Sequence, residues 1–395
     1  MFARTSALVA RGSMLSATPQ FDLAVIGGGP AGSSAAIAAA RLGANVVLLE
    51  ARNFPRHKVC GEFVSAEALD LLATLLQNSP AGRTLLDAPV IQRTRLFFGA
   101  RMIEAPVSPA ALSITRYDLD AQLCRAAQAA GVETRANCEV TATDGSGPFR
   151  LATSSGDCSA KTLIVATGRW SQFTPDRIMP AGPRWIGLKA HFREVDPAPS
   201  TDLYFFAKGY CGVQPVADDI VNACAMVRSD SATSLPEVFA LHDKLAERAA
   251  RWAAMTQPVS TAPLIYRKPQ PVHGNAMFAG DAAAFIDPFV GDGISIALRS
   301  GRLAAQCASR FLSGEIESGE AVALYGDEYS RQFAPLLSAA SRMRSLMSLP
   351  ALAQAAAFEL LRFPGVMPLL IRKTRGAAYL GRVELQVRMQ AAPRH

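Results

Sequence analysis

No run of about 18 consecutive apolar residues occurs in this 395-residue chain, which argues against a membrane-spanning helix. There is no Cys-x-x-Cys pair, and the seven cysteines (Cys60, Cys124, Cys138, Cys158, Cys211, Cys224, Cys307) are odd in number. That speaks against a disulfide framework or a thiolate zinc site and fits a reducing compartment, the cytoplasm. The histidines at 191, 242 and 273 lack metal-ligand spacing, so no metal is expected. Lysine and arginine are scattered, with no basic run interleaved with aromatics. The net charge of +7 therefore points to no nucleic-acid partner; it suits a phosphorylated cofactor, an acidic partner or an anionic membrane surface. Only 18% of residues are charged against 50% hydrophobic, which leaves little room for disorder away from the ends. Residues 1–20 lack a secretory apolar core and carry Arg4 and Arg11 with no acid. They read as a disordered extension, with Met14 an alternative start.

What is present begins with Asp22-Leu-Ala-Val-Ile-Gly27, an apolar run ending in glycine that reads as a buried parallel strand. Gly27-Gly28-Gly29-Pro30-Ala31-Gly32 follows, then an alanine-rich helix over 35–42 and a second apolar strand over 45–50. A G-x-G-x-x-G between strand and helix suits a dinucleotide. Gly27 makes the turn, Gly29 lets backbone approach a pyrophosphate, and Gly32 allows helix to pack on strand, with Ala31 beside it. Glu50, followed by Ala51, ends the second strand, where a carboxylate can accept from ribose hydroxyls.

Two later motifs favour FAD over NAD. Thr162 to Gly168 is a strand ending in Ala-Thr167-Gly168. Phe278-Ala-Gly280-Asp281-Ala-Ala is followed by Asp287-Pro288 and by Gly291-Asp292-Gly293-Ile294. Asp281 is placed to meet a ribityl chain, and the 291–293 turn opens a helix whose free N–H groups can stabilise reduced isoalloxazine. No second G-x-G-x-x-G occurs, so NAD(P)H or a protein electron donor is expected to act as a transient reductant.

Taken in order with Arg116-Tyr-Asp-Leu-Asp120, these motifs resemble the FAD superfamily of group A aromatic hydroxylases, geranylgeranyl reductases and flavin halogenases. The likeness spans residues 21–312. Lys58-Val-Cys60-Gly61 and the 287–294 stretch are most similar to the geranylgeranyl-reductase branch. The resemblance implies that Arg116 contacts FAD and that Cys60 and Gly61 lie near the flavin on the substrate side. The reductases carry Tyr-x-Trp-x-Phe-Pro where this chain reads Tyr210-Cys-Gly212-Val-Gln214-Pro215, which argues against a long isoprenoid chain. The halogenase Trp-x-Trp-x-Ile-Pro motif is missing.

The expected fold is α/β: a Rossmann-type FAD-binding domain (21–90, 111–184, 270–335) with an inserted, mainly antiparallel β-sheet substrate domain (91–110, 185–269) and a helical C-terminal region (336–395). The expected function is reduction of a C=C bond in a hydrophobic, isoprenoid- or polyketide-like small molecule by hydride from reduced flavin, with Cys60 or Tyr210 supplying the proton. The alternative is a monooxygenase that hydroxylates an aromatic or polyketide ring, supported by the Arg169-Trp170-Ser171 turn. His57 and Lys58 read as solvated charges, with cofactor phosphates as the other choice. Between 338 and 376 six basic residues stand against the single acid Glu359, amid many apolar ones. That composition suits either packing helices or peripheral membrane contact.

Overall fold

The computed structural model describes residues 20–77, 85, 87–169, 172–173, 182, 184–261, 263–285 and 291–347. Pro288, Trp170, Ser171, nearly all of the N-terminal extension and the tail beyond 347 lie outside them.

The first sheet is built on β1 (Phe21–Ile26), β2 (Val46–Leu49), β6 (Glu133–Arg135), β9 (Cys158–Val165) and β17 (Ala276–Phe278), all parallel to their neighbours in this group. Its order is β16-β17-β9-β1-β2-β6, where β16 is Val272–His273. The hairpin of β7 (Val140–Asp144) and β8 (Phe149–Thr153) joins it through β9. β2 is buried at every position and β1 at all but Asp22, as a sheet covered on both faces demands.

Helix α1 (Pro30–Arg41) starts at Pro30, earlier than the alanine run suggests, because proline's fixed φ suits the first helical position. α2 spans Ala66–Leu76 and α3 spans Arg116–Ala129. Thr115 caps α3 by accepting from the Asp118 N–H at 3.1 Å.

The second sheet runs β14-β10-β13-β12-β11-β4-β5-β3, with β15 on β10. Its strands are β3 (Phe63–Val64), β4 (Val90–Phe98), β5 (Arg101–Ser113), β10 (Trp185–Arg193), β11 (Ser200–Phe206), β12 (Gly209–Ala217), β13 (Ile220–Arg228), β14 (Ala253–Ala254) and β15 (Val259–Ser260). Only the β11–β4 pairing is parallel. One face packs Val213, Val221, Ala223 and Val227 against α4 (Leu235–Phe239) and α5 (Asp243–Ala249). The other face turns toward the first sheet.

Two features differ from the sequence expectation. Phe63 and Val64 pair with β5 rather than staying with the dinucleotide unit, because a two-residue strand carries no readable alternation. The final helical region begins well before 336. After α6 (Gly293–Leu312), α7 (Ser318–Met347) buries Tyr325, Tyr329, Phe333, Leu336 and Ala340 at three- and four-residue spacing. Tyr325 donates to the Phe278 carbonyl at 2.6 Å, fastening α7 to β17. Among the described residues no helix is long and apolar enough to cross a membrane.

Candidate functional site

Three glycines of the first turn are held for different reasons. A Cβ on Gly27, at φ +104°, would stand 2.4 Å from the Ala166 carbonyl oxygen, and one on Gly32 would stand 1.8 Å from that of Gly27. Both are required by the protein's own backbone. A Cβ on Gly29 would meet nothing nearer than guanidinium nitrogens of Arg56 and Arg116, each at 3.8 Å. The space at Gly29 is an open cradle at the N-terminus of α1, flanked by two cations, with no acid in the helix's first turn. A diphosphate fits it by charge and by N–H supply.

The arginines are aimed by carboxylates. Arg116 grips both oxygens of Asp120 at 2.8 Å, and Arg56 reaches Asp120 at 3.3 Å and also pairs with Glu50. Lys58 lies in the same electrostatic group with no side-chain acceptor among the described residues. Burial, followed by the charges of Arg56 and Arg116, pushes its ammonium down to about 8. The reading of Lys58 as a solvated charge is thus corrected. Glu50 is buried, and its oxygens accept from the Gly28 N–H at 2.7 Å and the Arg52 N–H at 3.1 Å. Ala51 next to it is exposed.

A second set of groups surrounds the other end of the turn. Thr167 Oγ1 and Ser295 Oγ are buried without a hydrogen-bond partner. Gly168 and Gly280 have φ of +81° and +62°, and a Cβ on Gly280 would stand 2.9 Å from that of Ala31. Asp281 follows on a 3-10 turn, its Oδ2 3.9 Å from Arg169 Nε. Gly291 (φ +75°) backs onto Phe63, and Gly293 and the buried Ile294 open α6. An open cradle between arginines, orphaned hydroxyls and an acid beyond a glycine form a donor set that fits FAD.

The inward face of the second sheet is divided. Register aligns Trp185, Gly187, Lys189 and His191 of β10 with Arg228, Met226, Cys224 and Asn222 of β13, and Tyr210, Gly212 and Gln214 of β12 come next. One end is apolar: buried Tyr210, Met226 and Leu264 pack with Trp185, Leu203, Phe205, Tyr266 and Phe285. Leu203 takes the space beside Gly212, 3.3 Å from where a Cβ would be, and Gln214 donates to Ser113 at 2.6 Å.

The other end is polar and capped by the 57–62 loop. Asn222 Nδ2 donates to the carbonyls of Cys60 and Gly61, both at 3.0 Å. Glu62, wholly buried, accepts from His191 Nε2 at 2.8 Å, from the Arg116 N–H at 2.7 Å and from Lys189. Burial works to raise the Glu62 carboxyl, but His191 and Lys189 outweigh it and hold it below the usual carboxylate range. Half-buried Cys60 accepts from the Glu62 N–H at 3.3 Å and from the Arg116 guanidinium. The His57 ring lies 4.9 Å from that of Tyr117 and 5.0 Å from that of His191, with both nitrogens buried and unpartnered. Burial, then Lys189 and His191, push it down to about 4, so His57 is no solvated charge either.

Sequence reasoning found the glycines, Glu50, Arg116, Cys60, Tyr210 and Asp281. It missed Arg56, Asp120, Glu62, Lys189, His191 and Asn222. The alternation Gly187-Leu-Lys189-Ala-His191 would have put two polar side chains on one strand face. Their partner Glu62 lies too far along the chain to be read. Among the described residues no cluster suited to a metal exists, and all seven cysteines are free.

Residues 21–175 match the family model for pyridine nucleotide-disulphide oxidoreductases. The chain is 27% identical over 366 residues to a menaquinone reductase of Mycobacterium tuberculosis, covering 83% of this chain and 84% of that protein. It is 27% identical over 332 residues to a digeranylgeranylglycerophospholipid reductase of Methanoculleus marisnigri, covering 78% and 81%. The structure of the flavin-dependent brominase Bmp2 superposes with a TM-score of 0.75 at 21% identity, covering 94% of this chain and all of that one, a likeness of fold. Fold, cradle and relatives define the class: the chain is an FAD-dependent oxidoreductase. It belongs to the superfamily that contains the geranylgeranyl reductases and flavin-dependent halogenases.

Proposed function

We propose that this enzyme reduces a C=C bond of a hydrophobic, isoprenoid- or polyketide-like small molecule. Bound FAD supplies hydride chemistry, renewed by NAD(P)H or a protein electron donor that docks transiently. In this reading Gly29, Arg56, Lys58 and Arg116 hold the pyrophosphate, Glu50 the adenosine ribose, and Asp281 with Thr167 and Ser295 the flavin side. Cys60 and Tyr210 are the proton donors nearest the substrate.

The observation that carries it is the aromatic wall of Trp185, Phe205, Tyr210, Tyr266 and Phe285 on the sheet face beside the Cys60 loop. A flat apolar surface binds a conjugated or ring-bearing substrate through burial and offers few groups to a polar one. Relatives named as reductases of menaquinone and of a geranylgeranylated lipid support the choice. The protein is proposed to work in the cytoplasm, with peripheral membrane contact where its substrate is a lipid.

The test is anaerobic mixing of the photoreduced enzyme with menaquinone or a geranylgeranylated lipid. The reading expects flavin reoxidation with a product heavier by two hydrogens. No reoxidation without O₂, together with ¹⁸O from ¹⁸O₂ appearing in an aromatic product, overturns it in favour of the monooxygenase.

A further inference from the structure

An unbroken chain of charged groups leads from the dinucleotide turn to the second sheet. The Gly28 N–H meets Glu50, Glu50 meets Arg56, and Arg56 and Arg116 share Asp120. The Arg116 backbone N–H meets Glu62, and Glu62 ends on Lys189 and His191 of β10. Glu62, Asp120 and Lys189 are wholly buried.

Stability alone is a poor reason for this arrangement. Desolvation offsets most of the attraction within a buried ion pair. Glu62 also sits at φ +62°, a conformation that strains a residue with a side chain. What the arrangement achieves is placement. The Glu62 carboxylate fixes the first residue of α3, whose guanidinium flanks the Gly29 cradle. Its own N–H holds the Cys60 sulfur, and its carbonyl accepts from the Ile114 N–H at 2.9 Å. One residue thus sets the position of a cofactor-side cation and a substrate-side thiol, and ties both to the second sheet.

We propose that Glu62 is a positioning residue that makes seating of the FAD pyrophosphate and seating of the Cys60–Gly61 loop on the substrate sheet a single cooperative event. The inference rests on the FAD reading above. The coupling is reciprocal: FAD tightens the loop, and a locked loop raises FAD affinity.

The experiment compares the wild type with the double variant Glu62→Leu/Lys189→Met, which leaves no buried charge unpaired. Two quantities are measured: the FAD dissociation constant from flavin fluorescence quenching, and the alkylation rate of Cys60 by iodoacetamide, resolved by peptide mass spectrometry. In the wild type FAD should slow alkylation. In the double variant the dissociation constant should rise about tenfold and the alkylation rate should no longer respond to FAD. Glu62→Asp keeps the charge but shortens the reach, and should move both readouts the same way by less, which covers a double variant that does not fold. Wild-type affinity and wild-type protection in either folded variant overturn the proposal. A wild type that takes up no FAD refutes the functional reading instead.

Discussion

Gly29 and Gly32 are three residues apart, yet their substitutions should fail in different ways. Gly29 has extended backbone (φ −78°, ψ −175°), which a β-branched residue adopts readily, and a Cβ there has ordinary room. Gly29→Val should therefore fold, with stability changed by about 0.5 kcal/mol or less, and lose FAD affinity on the order of a hundredfold, because its side chain occupies the cradle. Gly32→Val should not fold, since even its Cβ collides with the Gly27 carbonyl. Thermal melts of the cofactor-free proteins alongside FAD titration separate the two. Normal FAD binding by Gly29→Val would mean the cradle holds something else.

His57 makes a second residue-scale prediction. Its folded value of about 4 lies below the ordinary 6.5, so the unfolded chain binds more protons between those values. Stability is fully present above pH 6.5 and is lost as the pH falls toward 4, by about 1–3 kcal/mol for a partly buried ring. His242 shifts in the same direction, while Glu62 and Asp120, both lowered, lose stability only below about pH 4.5. His57→Phe keeps the ring between Tyr117 and His191 and should flatten this part of the acid limb. Urea midpoints at pH 7.0 and 5.0 check it; an equal drop in wild type and variant would contradict the assignment.

Among elements, the contact of α1 with α6 sets how tightly the dinucleotide turn is backed. A Cβ on Gly301 would stand 2.0 Å from the Ala31 carbonyl oxygen, and Ser34 donates to the Leu298 carbonyl at 2.7 Å. Gly301→Leu should push the helices apart and cost about 3 kcal/mol or more, seen as little folded protein or a much lower melting temperature. A wild-type melting temperature would show that the helices do not close over Gly301.

This scale also shows what was legible in the sequence. The glycine turns could be read because each is one continuous stretch whose steric reason lies within a few residues. The sheet face could be read only in half. Tyr210 was visible through its motif, but the polar end depends on β10–β13 register and on Glu62, a lone acid in a loop. The match of Lys189 to Glu62 spans 127 residues, and only tertiary pairing reveals it. His57 and Lys58 were misjudged for the same reason: adjacent basic residues look solvated until the elements that bury them are known.

For the whole molecule, two sheets meet through the 57–62 loop, and the tail after α7 lies outside the described residues. Its sequence, with Arg362, Arg372, Lys373 and Arg375 among many apolar residues, predicts reversible binding to anionic vesicles. Flotation should recover protein with vesicles at low salt and lose it at high salt. Protein left wholly unbound at low salt would make the tail a packing element.

Everything above depends on which cofactor the cradle holds. The most direct measurement is mass spectrometry of the small molecule released by heat from purified protein, quantified against chain concentration. The account predicts FAD at about one per chain, and its loss in Gly29→Val. Release of FMN or a nicotinamide dinucleotide, or no flavin uptake after incubation with excess FAD, would contradict it.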